Sequence, residues 1–153
     1  MKIWIDADAC PQMIKDVVFK ASERLEIPTI LVANRYVNAP KSKWISSVVV
    51  SMGADVADAY IVDELETEDL VITADIPLAD HVVTKGALAI NPRGELYTVD
   101  NIKERLSMRD FMTSLRDSGQ MTGGPPPLNA KDKKLFAGSF DRIITKMLRD
   151  YRK

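Results

Sequence analysis

One pattern occurs twice in this chain and restricts its folding more than any other. A short apolar run leads to an aspartate, and a proline then opens an amphipathic stretch. The pattern appears as Ile3-Trp4-Ile5-Asp6-Ala7-Asp8-Ala9-Cys10-Pro11 and again as Leu70-Val71-Ile72-Thr73-Ala74-Asp75-Ile76-Pro77. Such apolar runs are too short for a helix but suit a buried strand, and proline is well placed at the first helical position. Each copy therefore reads as strand, turn and helix, with a carboxylate delivered where the strand ends.

The rest of the chain extends this alternation. Pro11 to Leu25 carries Ile14, Val17, Val18, Ala21 and Leu25 at helical spacing. Thr29–Val32 and Val48–Val50 read as the second and third strands, and Asp55–Leu65 as a helix. Leu70–Thr73 is the fourth strand, followed by a helix from Ile76-Pro77 that closes at Gly86. Ala87–Ile90 is a fifth strand, and Glu95–Val99 a short sixth element. Asn101–Asp117 reads as a helix with Ile102, Leu106, Met108, Phe111, Met112 and Leu115 inward. From Lys131 to the end a last helix is expected, with Phe136, Phe140, Ile143, Ile144, Met147, Leu148 and Tyr151 on one face. Buried strands alternating with amphipathic helices predict an open α/β sheet, mostly parallel, with helices on both faces. A single domain is expected over 1–153: an α/β body at 1–117, a Gly/Pro strap at 118–130 and a basic amphipathic helix at 131–153.

In such sheets ligands bind off the carboxyl ends of the strands. Strand one brings Asp6 and Asp8 there, strand two Asn34 and Arg35, and strand four Asp75, with Asp80 one helical turn on. Close carboxylates repel unless a cation lies between them, and no basic residue occurs in either stretch. A divalent ion is one reading. The other is that Asp8 and Asp75 cap the helices that follow them, and that Asp80 is solvated. Asp58, in Gly53-Ala54-Asp55-Val56-Ala57-Asp58, belongs to a helix along the same edge.

Composition narrows the chemistry. The chain has 153 residues, of which 46% are hydrophobic and 28% charged, enough for one globular core. A single cysteine excludes an internal disulfide, and with a single histidine it makes a Cys/His zinc site a poor fit. Any metal would take oxygen ligands, which favours Mg²⁺ or Mn²⁺. No apolar run reaches membrane-spanning length and no signal-type segment opens the chain, so a cytoplasmic protein without a membrane partner is expected. The sequence does not specify an oligomeric state.

The net charge of −1 is unevenly distributed. Ala54 to Thr84 lacks Lys and Arg, whereas the segment from Lys131 onward is basic. On a continuous helix Lys131, Arg142, Lys146, Arg149 and Lys153 fall in one band that could follow a phosphate backbone. The alternative is an ordinary solvated face. Arg93 and Arg109 are further phosphate candidates.

The order of Asp6-Ala7-Asp8-Ala9-Cys10-Pro11, Gly53–Asp58, Thr73–Ala79, Pro92-Arg93-Gly94 and Gly123-Gly124-Pro125 resembles the YaiI/YqxD family of small bacterial proteins, over nearly the whole chain. That family in turn resembles PIN-domain nucleases. The resemblance implies a PIN-like, three-layer open sheet with an added C-terminal helix. It also implies an aspartate ending strand one, another on the central helix and one or two after the fourth strand, which fall on Asp6, on Asp58, and on Asp75 and Asp80. Asp8 with its Cys-Pro is a departure from the PIN pattern. The expected function is divalent-metal-dependent hydrolysis of phosphodiester bonds in RNA or another nucleic acid, with Asp6, Asp8, Asp58 and Asp75 as metal ligands or water-positioning groups.

Two other classes compete. Asp-x-Asp after strand one also opens haloacid-dehalogenase-like phosphatases, with Asp6 as nucleophile and Asp8 as general acid. That class needs a lysine before its final aspartates, and no basic residue precedes Asp75 back to Lys43. A non-catalytic RNA- or protein-binding domain is the other alternative.

Overall fold

A computed structural model describes residues 1–53, 55–117 and 128–151. It has a six-stranded sheet in the order β3-β2-β1-β4-β5-β6. The strands are β1 (Ile3–Asp6), β2 (Thr29–Ala33), β3 (Ile45–Val49), β4 (Leu70–Ile72), β5 (Leu88–Ile90) and β6 (Leu96–Tyr97). The first five are parallel, and β6 runs antiparallel to β5. The helices are α1 (Gln12–Leu25), α2 (Val56–Glu64), α3 (Ile76–Thr84), α4 (Val99–Asp117) and α5 (Ala130–Tyr151). The mostly parallel α/β architecture with a C-terminal helix is as the sequence predicts.

Strand alternation divides the core into two layers. Ile3 and Ile5, Leu31 and Ala33, Leu70 and Ile72, and Ile90 face α1 and the Phe136, Phe140 and Ile144 stripe of α5. Trp4, Val32, Val71 and Ala89 face the opposite way, onto Ile61 of α2, Leu78, Ala79 and Val82 of α3, and Ile102 of α4. Both faces being covered explains why the central strands read as unbroken apolar runs.

From β1 the chain builds outward through β2 to β3, then returns to lay β4 on the other side of β1. The β1/β4 boundary is thus the switch point where strand order reverses, the usual ligand crevice of open α/β sheets. Register matters there. Ile5 lies opposite Ile72, so Asp6 and Thr73 leave the sheet side by side.

Three expectations need correction. The third strand begins at Ile45 rather than Val48, because β3 is an edge strand whose Ser46 and Ser47 are exposed. In α4, Met108 and Phe111 are 53% and 58% exposed rather than inward. Among the described residues only the turn carrying Ile102 reaches the core, since the sheet beneath ends at two-residue β6. Tyr151 is likewise exposed, one turn beyond the last residues of α5 that pack on the sheet.

α5 starts at the carboxyl edge of the sheet and runs to the amino edge. Gly94, with φ +92°, lets the β5–β6 turn press against α5, where a Cβ would meet the Leu135 carbonyl oxygen at 3.0 Å. At its other end Met147, Asp150 and Tyr151 line a cavity with Thr67, Glu68 and Leu88, where β4 and β5 begin. Most of the expected strap, including Gly123, Gly124 and Pro125, lies outside the described residues.

Candidate active site at the β1/β4 switch point

Asp6 ends β1 and is 5% exposed. Its Oδ2 accepts a hydrogen bond from Thr73 Oγ1 at 2.8 Å. Burial raises the pKa of Asp6; the Thr73 bond opposes that rise, and the charges of Asp75 and Asp8 add to it. Asp75 is the N-cap of α3. Its Oδ1 accepts from the Leu78 N–H at 3.1 Å, while its own N–H donates to Thr73 Oγ1 at 2.9 Å. The cap reading of Asp75 is therefore realised, yet one carboxylate oxygen has no such duty.

Asp58 occupies the first turn of α2 and faces Asp75 closely enough to hydrogen-bond with it. Its pKa is pushed up to about 7, first by burial, then by the charges of Asp75 and Asp6, the Asp75 hydrogen bond and Asp55. At neutral pH this carboxyl is partly protonated, as expected where like charges converge without a counter-ion. Beside it, a cavity of about 350 Å³ runs between α2 and α3, lined by Asp55, Asp58, Val62, Asp63, Pro77 and His81 among others.

Asp8 takes a different position from its neighbours. It lies in the 3-10 turn Ala7–Ala9, exposed, and makes no helix cap. Its Oδ2 accepts from the backbone N–H of Asn34 at 3.0 Å, fastening the turn after β1 to the end of β2. Arg35 follows, exposed, at the same edge. Asp80 is not drawn into the group: its Oδ1 lies 3.2 Å from Lys103 Nζ, between α3 and α4.

The other predicted cations are dispersed. Arg93 pairs with Asp132 at 3.2 Å, joining the β5–β6 turn to the start of α5. Arg109 lies 3.7 Å from its neighbour Asp110 on α4. Lys131, Arg142, Lys146 and Arg149 are exposed along α5, and Lys153 lies outside the described residues. Only Lys131 is near the carboxyl edge, because a helix of this length carries Arg149 roughly 27 Å away. The basic band therefore leads away from the carboxylates instead of fronting them.

The donor chemistry permits a hard divalent cation. Among the described residues no three carboxylate, imidazole or thiolate groups are already gathered to hold an ion by themselves. Mg²⁺ does not need such a cage, since it commonly takes one or two carboxylates and keeps several waters. Asp58 and Asp75, facing each other with Asp6 behind them, supply that. Cys10 has no part in this chemistry: burial lifts its thiol pKa to about 12, against a smaller downward pull from Lys15.

Two residues escaped sequence reasoning. Thr73 had a signal, a hydroxyl at a strand end two residues before an aspartate. Lys15 had one too, a lysine three and seven residues before Val18 and Ser22 on the buried face of α1.

A family model described as "Uncharacterized BCR, YaiI/YqxD family" matches residues 4–146. Relatives include a UPF0178 protein of Marinomonas sp. (strain MWYL1), 58% identical over 97% of this chain and 100% of its own length. A UPF0178 protein of Trichlorobacter lovleyi is 56% identical over 100% of this chain and 99% of its own. The chain belongs to the YaiI/YqxD family. No solved structure matches it. No helix among the described residues is long and apolar enough to cross a membrane.

Proposed function

We propose that the protein is a divalent-metal-dependent nuclease that hydrolyses phosphodiester bonds, with RNA as substrate. The observation that carries this is the convergence of Asp58, Asp75 and Asp6 at the switch point, where Asp58 is pushed up to about 7 by burial and by its acidic neighbours. Mutual repulsion of this kind destabilises a carboxylate cluster and is relieved by a cation. A bound Mg²⁺ or Mn²⁺ would supply water activation and charge stabilisation on the leaving oxygen. Asp58 and Asp75 would hold it, and Asp6, fixed by Thr73, would orient the attacking water. Asp8, fastened to Asn34, is assigned to shaping the turn.

The test is cleavage of single-stranded RNA by purified protein with and without Mn²⁺. Activity is expected only with the metal, and its survival in both Asp6→Asn and Asp75→Asn would sink the proposal.

A further inference from the structure

Among the described residues, the buried polar side chains are Asp6, Lys15, Ser22, Thr29, Asp69 and Thr73. All but Lys15 are hydrogen-bonded. Lys15 is 7% exposed and, among the described residues, has neither a hydrogen-bond nor an ion-pair partner for its ammonium. The described residues thus leave this ammonium, on a side chain that is otherwise packed away, without a counter-charge, so an anion that reached it would meet no competing partner.

Helical side chains lean toward the N-terminus, and the Lys15 charge acts on the thiol of Cys10, two residues before the helix begins. No side-chain nitrogen among the described residues is both sealed from solvent and unpartnered, so the remaining exposure of Lys15 includes its ammonium. The first turn it approaches is open. Pro11 is the N-cap and offers no side-chain cap, and the N–H groups of Gln12 and Met13 have no protein partner among the described residues. Two free N–H donors, the positive end of a 14-residue helix and an ammonium together suit a tetrahedral oxyanion. α1 packs on the face that carries Ile3 and Ile5, whereas Asp58 and Asp75 belong to helices on the other face. The two sets of groups thus flank one sheet edge.

We propose that Lys15 and the open first turn of α1 form a phosphate-binding subsite, which takes a phosphate of the nucleic acid strand presented to Asp6, Asp58 and Asp75. The identity of the ligand rests on the nuclease reading; the anion site does not.

The full ¹⁵N-labelled chain, held in EDTA, is titrated with inorganic phosphate, a 5′-phosphorylated single-stranded RNA and the same RNA with a 5′-hydroxyl. The amide signals of Gln12 and Met13 are expected to shift with phosphate and with one or both RNAs. A larger response to the 5′-phosphorylated strand assigns a terminal phosphate, and equal responses assign a backbone phosphate. Lys15→Arg keeps the shifts, and Lys15→Met weakens binding by about tenfold or more, the scale of a charge-assisted hydrogen bond. Lys15→Met should fold, because an apolar chain of similar length replaces a buried charge. Shifts with phosphate but with neither RNA overturn the nucleic acid assignment. No shifts with any ligand, or shifts unchanged in Lys15→Met, overturn the subsite. Metal-dependent cleavage without these shifts removes the subsite alone, and shifts without cleavage remove the nuclease reading alone.

Discussion

Thr73 ties Asp6 to Asp75: its hydroxyl donates to the Asp6 carboxylate at 2.8 Å and accepts from the Asp75 N–H at 2.9 Å. Thr73 is wholly buried, so water cannot replace either bond. Thr73→Val conserves shape but leaves a buried carboxylate oxygen and an amide unpaired, a loss of about 1–3 kcal/mol. Denaturant unfolding is expected to show that loss in Thr73→Val and little of it in Thr73→Ser. RNA cleavage should fall by roughly 10- to 100-fold in the valine variant, the usual effect of removing a group that orients a metal ligand.

Asp58 makes stability depend on pH in an unusual direction for an aspartate. Its folded pKa of about 7 lies above the ordinary aspartate value of 3.8, so the folded state binds the extra proton between these values. Stability from this group is therefore complete below the unfolded pKa and is lost as pH rises through about 7. Metal-free protein is expected to melt lower at pH 8 than at pH 5.5. Asp58→Asn should flatten that difference and raise the pH 8 melting temperature by about 2–4 °C, a modest gain because solvent screens a half-buried group. A melting temperature that climbs steadily from pH 5.5 to pH 8 would contradict the placement of Asp58 against Asp75.

The sequence carried the fold well where both faces of a strand are buried. β1, β2 and β4 announce themselves as apolar runs, and the Asp-Pro punctuation after β1 and β4 marks the switch point. β3 was harder to delimit because its Ser46 and Ser47 sit at a solvated edge. Periodicity misplaced Met108 and Phe111, since spacing reports which residues share a helix face but not whether another layer covers it. In the site, strand ends located Asp6 and Asp75. Charge counting was a poorer guide: a band of cations on α5 says nothing of which sheet edge it reaches. Lys15 was overlooked because a lysine among apolar residues reads as a stem packed on the core with its head in water, and the sequence does not show whether a counter-charge meets that head.

Acidic residues in the middle of the chain do not all belong to the site, and Asp69 is a control for that distinction. It is wholly buried at the amino edge, beside the start of β4. Its carboxylate accepts from the Lys2 N–H, the Trp4 indole N–H and the Glu66 N–H, each at 2.9 Å. Asp69→Ala leaves three donors unpaired and is expected to cost at least about 3 kcal/mol, near 1 kcal/mol for each. Whatever fraction remains folded should keep its Mn²⁺ affinity in calorimetric titration, whereas Asp75→Asn should lose affinity while staying folded. Equal losses of metal affinity in both variants would move the ion away from the switch point.

The direction of α5 predicts which cations touch RNA. Arg35 follows β2 next to the Asp8–Asn34 hydrogen bond at the carboxyl edge. Arg149 lies beside Asp150, which lines the cavity at the opposite edge. A strand lying across the carboxylates can reach the first and not the second. For a single strand, every phosphate left without its cation lowers the salt dependence of log K by about 0.7. Arg35→Glu is thus expected to weaken RNA binding and flatten its salt dependence by about that much, while Arg149→Glu changes neither. Binding is measured by fluorescence anisotropy in EDTA across several salt concentrations. If Arg149→Glu weakens binding as much as Arg35→Glu, the RNA runs along α5, and the basic band that the sequence picked out is its track after all.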